Sequence, residues 1–544
     1  MFKLKALSQV IAATVATSFL VGCGSGSSSG SDTTSSGTTE VSGSVFASYV
    51  EGAKVSVTDG RNVIAGPVKT DAMGGFKISI ANAQLENNLF FVAEGGSYTD
   101  EATGTAGVNS ERLAVYAGAN TLGSKSSINA TPASTLIERL IDNGNGLEEA
   151  KAKEHFEKAF GYLPDTSVVP VDATKDNAGA SDAAKLAGVR AAAFSQLLEN
   201  LDLEAEDHKA LLDALAEDLL DGDVDGMNGA ASVQLKGGDV RHDMASQFAV
   251  ALMDFSNDAD KNKSGLSLGQ LGSVPFISKA ESDNYSFELT PKGMVKEGKV
   301  TFDVTIKNPD SPVQGVMPMM MPMMYMASGH MHSTPSKACS MTNAMGVAEC
   351  TVYFLMPSAM GNGDVMGNWD LMFSVGMNES KESVHFFPEV MMNMSDDTTS
   401  LTFKGEGDDT YKNMMGMATP RPYFVFEDSL MKSGDKHTLK LFVGTRYSMT
   451  SHPELTDEGT TEDGALKSAP VQLFVGSSAS DVTTEAVYTD GLWVVTDIDW
   501  LADGEQGSIF VSLNVDGIPK ALNDAEVGEL KLTPAAPMPM NGSM

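Results

Sequence analysis

Basic side chains are scarce in this chain. Lys and Arg number 37 against 72 Asp and Glu in 544 residues, which leaves a formal charge of -35. That balance argues against nucleic acid as a partner, because a phosphate backbone is gripped by clustered cations, and an acidic lipid surface would repel the chain. Catalytic signatures are also missing. There is no Gly-x-Ser-x-Gly elbow between a strand and a helix, no phosphate-cradling glycine loop and no His-Glu-x-x-His, and the few histidines pair with no obvious nucleophile. The one long apolar run, Ala6 to Val21, is too short and too soon interrupted to span a bilayer. Cysteine occurs only at Cys23, Cys339 and Cys350.

The apolar run follows Lys3 and Lys5 and reads as a signal peptide over residues 1–22. It ends in Leu20-Val21-Gly22-Cys23, which resembles the bacterial lipobox. The resemblance implies cleavage before Cys23 and acylation of that residue, which gives a membrane partner through a lipid anchor. Gly24 stands where the inner-membrane retention signal has aspartate, so the outer membrane is the expected address. The alternative is an ordinary secreted protein with a free or disulfide-bonded Cys23. Loss of Lys3 and Lys5 leaves a charge of about -37. In an oxidising compartment Cys339 and Cys350 are expected to close a short loop as a disulfide. The competing reading is a thiolate pair on a soft metal.

Residues 23–40, rich in Gly, Ser and Thr, read as a flexible tether. Alternating segments then begin, with Ala53 to Val57 and Phe76 to Ile80 as strands and Asp59-Gly60 and Gly74-Gly75 as turns. The pieces Gly43 to Val45, Gly52 to Val57 and Thr70 to Phe76 resemble a carboxypeptidase regulatory-like (transthyretin-like) module. The resemblance implies a β-sandwich over 41–125, a rigid stalk without catalytic residues. Residues 126–280 read as a helical domain. Pro132 follows the N-cap Thr131, and helices are expected over 147–160, 181–200, 205–220 and 240–255. Two acidic loops punctuate it. Asp221, Asp223 and Asp225 open like a calcium loop but reach Ser232 at position twelve, and Asp258, Asp260 and Asn262 are followed by Lys263 where glycine is needed. Neither is a full motif; calcium is a weak expectation at both.

The remainder is β again, in two successive antiparallel sandwiches, 281–400 and 401–535, with a tail over 536–544. The fold class is therefore multidomain and mainly β, with one α-helical domain. The first of the two C-terminal sandwiches holds more than half of the 32 methionines, and residues 316–335 contain eight of them with His330 and His332 and no charged side chain. Thioether and imidazole together suit a copper ion, whereas calcium takes oxygen. On an extended strand Met317, Met319, Met321 and Met323 face one way and Met320, Met324 and Met326 the other. Pro318 and Pro322 favour an edge position. The order of a Met-rich strand, a His-Met-His turn closing on Thr334-Pro335 and a Gly367-Asn368-Trp369 strand resembles the YtkA-like β-sandwich of exported bacterial proteins. That family is associated with metal handling, and the resemblance implies a copper site at the turn.

The candidate metal ligands are His330, His332, Met324, Met326 and Met331, with the cluster Met391-Met392-Asn393-Met394 and His385 closing the site from a neighbouring strand. His385, between Val384 and Phe386, reads as a hydrogen-bonded structural histidine, and His437 and His452 read as solvated. The function expected is a non-enzymatic, lipid-anchored outer-membrane protein that binds copper for sequestration, tolerance or delivery, with an envelope protein as partner. The alternative is a structural or adhesive surface lipoprotein in which methionine merely packs.

Overall fold

The computed structural model describes residues 37–535 apart from 124–125, 143–145, 273, 310, 377–380, 408, 414, 461–465 and 524. The signal peptide, Cys23, most of the tether and the tail lie outside the described residues. The described residues are mainly β with five α-helices.

The N-terminal unit has strands β1 (Thr38–Ser44), β2 (Lys54–Thr58), β3 (Val63–Lys69), β4 (Gly75–Ala81), β5 (Leu89–Glu94), β6 (Ser97–Thr99), β7 (Ala106–Asn109) and β8 (Arg112–Ala117). β1 and β4 form one sheet, the order β3-β2-β5-β8 forms a second, and β6-β7 is a hairpin. β1 reaches back to Thr38, inside the stretch read as tether, because Thr38 to Glu40 pair in register with Ala81 to Ser79 and continue the ladder.

Five helices follow: α1 (Pro132–Asp142), α2 (Glu149–Phe160), α3 (Asp182–Asn200), α4 (His208–Asp218) and α5 (Met244–Asn257). Between the last two lie short hairpins, β9 (Met227–Asn228) with β10 (Ala231–Ser232) and β11 (Gln234–Leu235) with β12 (Gly238–Asp239). The helices do not have a core of their own. One apolar cluster runs from Val41 through Leu136, Phe194 and Phe248 to Val274. Across it Glu138, fully buried, takes a bidentate pair from Arg112 at 2.8 and 3.0 Å.

The third unit pairs a sheet of order β13-β14-β15-β20-β19 with one of order β18-β17-β21-β22, and β16 adds to β15. These are β13 (Lys279–Glu281), β14 (Ser286–Pro291), β15 (Gly298–Asn308), β16 (Ser311–Pro312), β17 (Met319–Met326), β18 (Met331–Ser333), β19 (Ser336–Lys337), β20 (Val347–Phe354), β21 (Gly367–Val375) and β22 (Glu382–Phe386). Cys339 and Cys350 are joined by a disulfide inside its core, with Cα atoms 4.3 Å apart. Gly269, in the turn after α5, lies so close to β17 that a Cβ would sit 2.3 Å from the Tyr325 carbonyl oxygen. Asn368 of β21 donates to the carbonyls of Leu268 and Gly272 at 3.0 and 2.9 Å, which fastens the third unit to the helices.

The fourth unit comprises β23 (Ser400–Lys404), β24 (Thr410–Lys412), β25 (Ala418–Pro420), β26 (Pro422–Ser433), β27 (Lys436–Thr445), β28 (Val471–Ser478), β29 (Asp481–Glu485), β30 (Val487–Thr489), β31 (Leu492–Ile498), β32 (Gly507–Val515), β33 (Ile518–Pro519) and β34 (Gly528–Leu532). Its main sheets are β23-β26-β27-β31-β30 and β29-β28-β32-β33, with β34 on β32. An aromatic seam joins it to the third unit. Tyr353, on the outer face of β20, stacks on Phe442 at 4.2 Å, lies 5.0 Å from Phe426 and donates its hydroxyl to Asp428 at 2.9 Å. Removal of the ring in Tyr353→Ala is expected to weaken this joint by about 3–5 kcal/mol. Differential scanning calorimetry would read it as a separate, lower transition for the fourth unit; an unchanged thermogram would contradict the coupling.

Candidate functional site

β17 is second in its sheet rather than a plain edge strand. Met323 to Tyr325 pair with β18 on one side and with β21 on the other, whereas Met319 to Pro322 have β21 alone. Pro318 and Pro322 thus fall outside the doubly paired stretch, where a missing N–H breaks no second ladder. Side chains alternate across the pleat. Met324 is fully buried in the core and Met320 and Met326 pack against it, while Met317, Met319 and Met321 are exposed.

The expected ligands divide between these two sides. His330 and Met331 are exposed at the hairpin turn, where the His330 carbonyl accepts from Met326 N–H at 2.8 Å. His332 lies opposite Met324, is 4 % exposed and meets Trp369 edge-on at 5.6 Å. Met391 and Met392 are engaged elsewhere, Met391 bridged to Lys296 and Met392 Sδ accepting from Gly361 N–H at 2.9 Å.

His332 faces the joint with the fourth unit. Its Nδ1 bonds the Ser333 carbonyl at 2.8 Å and so carries the proton, leaving a buried Nε2 lone pair without a partner among the described residues. His452 has the complementary tautomer problem. Its Nε2 accepts from Arg446 Nε at 2.8 Å, which puts the proton on a buried, unpartnered Nδ1. Contrary to the sequence reading, His452 is only 8 % exposed, and His437 is buried against Asp503 at 3.0 Å. Sequence offered no signal for either, because both are buried by packing that joins distant segments. Burial, with the Arg446 cation and His332, pushes His452 down to about 2, and burial lowers His332.

The outer face of the same sheet holds an arrangement that the sequence did not disclose. Register places Met321 of β17, Met372 of β21 and His385 of β22 side by side in one lateral row. Cross-strand neighbours on one face have Cβ atoms about 5 Å apart, within reach of methionine side chains. His385 Nδ1 is held by the buried Asp370 carboxylate at 3.0 Å, which leaves Nε2 as the other ring nitrogen. A carboxylate behind a histidine is the second-shell arrangement that orients an imidazole ligand. Burial opposes the His385 charge, yet the bond and charge of Asp370, helped by Asp254, hold its pKa above the usual value. A thioether beside an imidazole, with a second thioether one strand further along the row, can take a soft monovalent metal.

The acidic loops bind their own backbone. Asp221 accepts from Asp223 and Gly229 N–H at 3.3 and 2.6 Å, Asp223 pairs with Lys158 at 2.6 Å, and Asp225 accepts from Met227 N–H at 3.2 Å. Asp258 accepts from Asp260 and Lys261 N–H at 2.8 and 3.2 Å, and Asn262 caps Ser264 at 3.0 Å. Among the described residues no group of three or more His, Cys, Asp or Glu side chains converges on a metal position. No described helix is long and apolar enough to cross a membrane.

No family model and no curated protein matches the chain. Among solved structures it is similar to the Yersinia pseudotuberculosis adhesin InvE, at 11% identity over 46% of this chain and 60% of that one, with a TM-score of 0.15. It is also similar to the Escherichia coli adhesin FdeC, at 17% identity over 48% and 67%, with a TM-score of 0.14. The chain thus spans about two thirds or less of the length of these adhesins, and likenesses this slight carry nothing across.

The histidine environments have opposite signs in pH. His452, depressed in the fold, contributes stability that is fully present above about pH 6.5 and is lost as pH falls toward its folded value near 2. His385, raised in the fold, contributes stability that is full below about pH 6.5 and is lost as pH rises through its folded value. Imidazole nitrogen spectra at pH 6 are expected to show His452 neutral and His385 mostly protonated. A His452 that protonates above about pH 5 would overturn this reading of the joint.

Proposed function

We propose that this chain is a non-enzymatic, exported surface protein with a structural or adhesive role, built as a stiff stack of modules. The observation that carries the reading is that every junction is sealed. The first unit and the helices share one core, Asn368 and Gly269 lock the third unit to the helices, and Tyr353 locks the fourth to the third. Export and lipid anchoring are supported by the leader, by the lipobox-like Cys23 and by the Cys339–Cys350 disulfide, which suits an oxidising compartment. Displayed on a non-adherent bacterium, the intact chain is expected to raise retention under flow, and Tyr353→Ala at equal surface density to lower it. Equal retention with and without the chain would remove the adhesive role.

A second reading, binding of a soft metal such as copper, is favoured by the Met321–Met372–His385 row with Asp370 behind it. It relocates the metal from the His330–His332 turn to the outer face of the sheet. In a Cu(I) competition titration, His385→Ala is expected to abolish the site and Asp370→Asn to weaken it about tenfold, whereas His330→Ala leaves it intact. Binding that survives His385→Ala would sink this assignment.

A further inference from the structure

Arg190 of α3 is an inward-facing cation without a carboxylate among the described residues. Four other arginines inside the fold each meet an acid: Arg112 meets Glu138 at 2.8 Å, Arg139 meets Asp213, Arg241 meets Asp243 at 2.9 Å and Arg421 meets Asp409 at 3.0 Å. Arg446, which has none among the described residues, is occupied by His452 and the Tyr411 hydroxyl. In a chain with 72 acids and 37 bases, an arginine left without an acid is conspicuous. Among the described residues Arg190 makes one hydrogen bond, from Nη2 to the Leu271 carbonyl at 2.9 Å, and its guanidinium lies over the Tyr162 ring with Cζ 4.0 Å from the centroid. Most of its N–H fork, the geometry that matches a carboxylate, is therefore unused. The Tyr162 hydroxyl beside it is buried and has no partner among the described residues.

Both side chains line a cleft of about 120 Å³ between the start of α1, the loop 162–170 and the first half of α3. Its other walls are largely apolar, with Leu163, Val168, Leu186 and Ala187. Apolar walls with one convergent polar group are usual features of a small-molecule site, and the narrow volume restricts this one to a slender ligand. Burial works against the Arg190 charge, so an anion arriving there would meet a desolvated cation. Asp165 at the rim already accepts the Ser167 N–H and hydroxyl at 2.9 and 2.6 Å, and its charge disfavours a ligand with a second anionic group.

We propose that this cleft binds a small amphiphilic monocarboxylate, with its carboxylate on the Arg190 fork and its apolar tail against Leu186 and Ala187. Octanoate is the probe and octanol its uncharged counterpart, titrated calorimetrically into the full-length protein. Octanoate is expected to bind one to one. Arg190→Gln should weaken octanoate at least about tenfold and leave octanol nearly unchanged, and Ala187→Trp, which fills the cleft without touching the cation, should abolish both. Absence of octanoate binding to the unaltered protein, or equal affinity in Arg190→Gln, overturns the proposal. Should Arg190→Gln fail to fold by circular dichroism, Ala187→Trp decides, and octanoate binding that persists in it overturns the proposal.

Discussion

An apolar core that crosses a module boundary is the constraint on which the rest of this structure depends. β8 is the last strand of its sheet, and an uncovered edge there would leave backbone donors and acceptors open to another chain. The start of α1 covers it. Thr135 Oγ1 accepts from Ala114 N–H at 2.9 Å, and Ser134 Oγ donates to the Ala114 carbonyl at 2.7 Å. Thr131 and Ser134 also cap each other's N–H groups, at 3.2 and 2.8 Å. The hydroxyls that begin the helix thus also finish the sheet, and the first unit cannot swing relative to the helices without exposing Val41, Leu136 and Phe194.

That fusion explains which parts of the fold were legible in the sequence. Helix positions were readable because the apolar period is local: α2, α3 and α5 fall within a few residues of where periodicity places them, and α2 stops at Gly161, whose φ of 75° suits glycine. Most strands were readable for the same reason. Pairing was not, because β17 and β21 are neighbours in the sheet but are separated in the chain by β18, β19 and β20. Strand parity divided the methionines into two rows correctly, but only the partners Trp369 and Phe373 decide that the row of Met320 and Met324 is the inner one. The Met321–Met372–His385 row needs three strands in register before it exists at all.

Buried histidines mark the limit of local reasoning more sharply. His452 sits in a polar sequence context, Ser451 to Glu454, that reads as solvent-facing. It is buried because Phe424 of β26 and Arg446, the residue after β27, lie against it at the joint. His330 and His332 share a turn and a parity, yet one is in water and the other in the core, since the strand begins only at Met331. A ligand pattern along the chain specifies metal binding only when backbone geometry turns the donors toward a common point, and in this turn it separates them.

The same physics bears on why methionine, rather than leucine, covers so much of the third unit. Where Met324 is fully enclosed, an unbranched side chain fills an irregular gap beside Trp369 and His332. On the outer face the sheet beneath is fixed by pairing on both sides of β21, so a partner or ion that engages Met321 need not order the backbone. Only the thioether side chains have to adapt, and their three rotatable bonds make that adaptation inexpensive while sulfur supplies soft, polarizable contact. A stiff backbone with compliant side chains serves attachment to an irregular surface and capture of a soft cation equally well. The feature that separates the two is His385, because its Asp370-held imidazole adds directional affinity for a metal and nothing that adhesion requires.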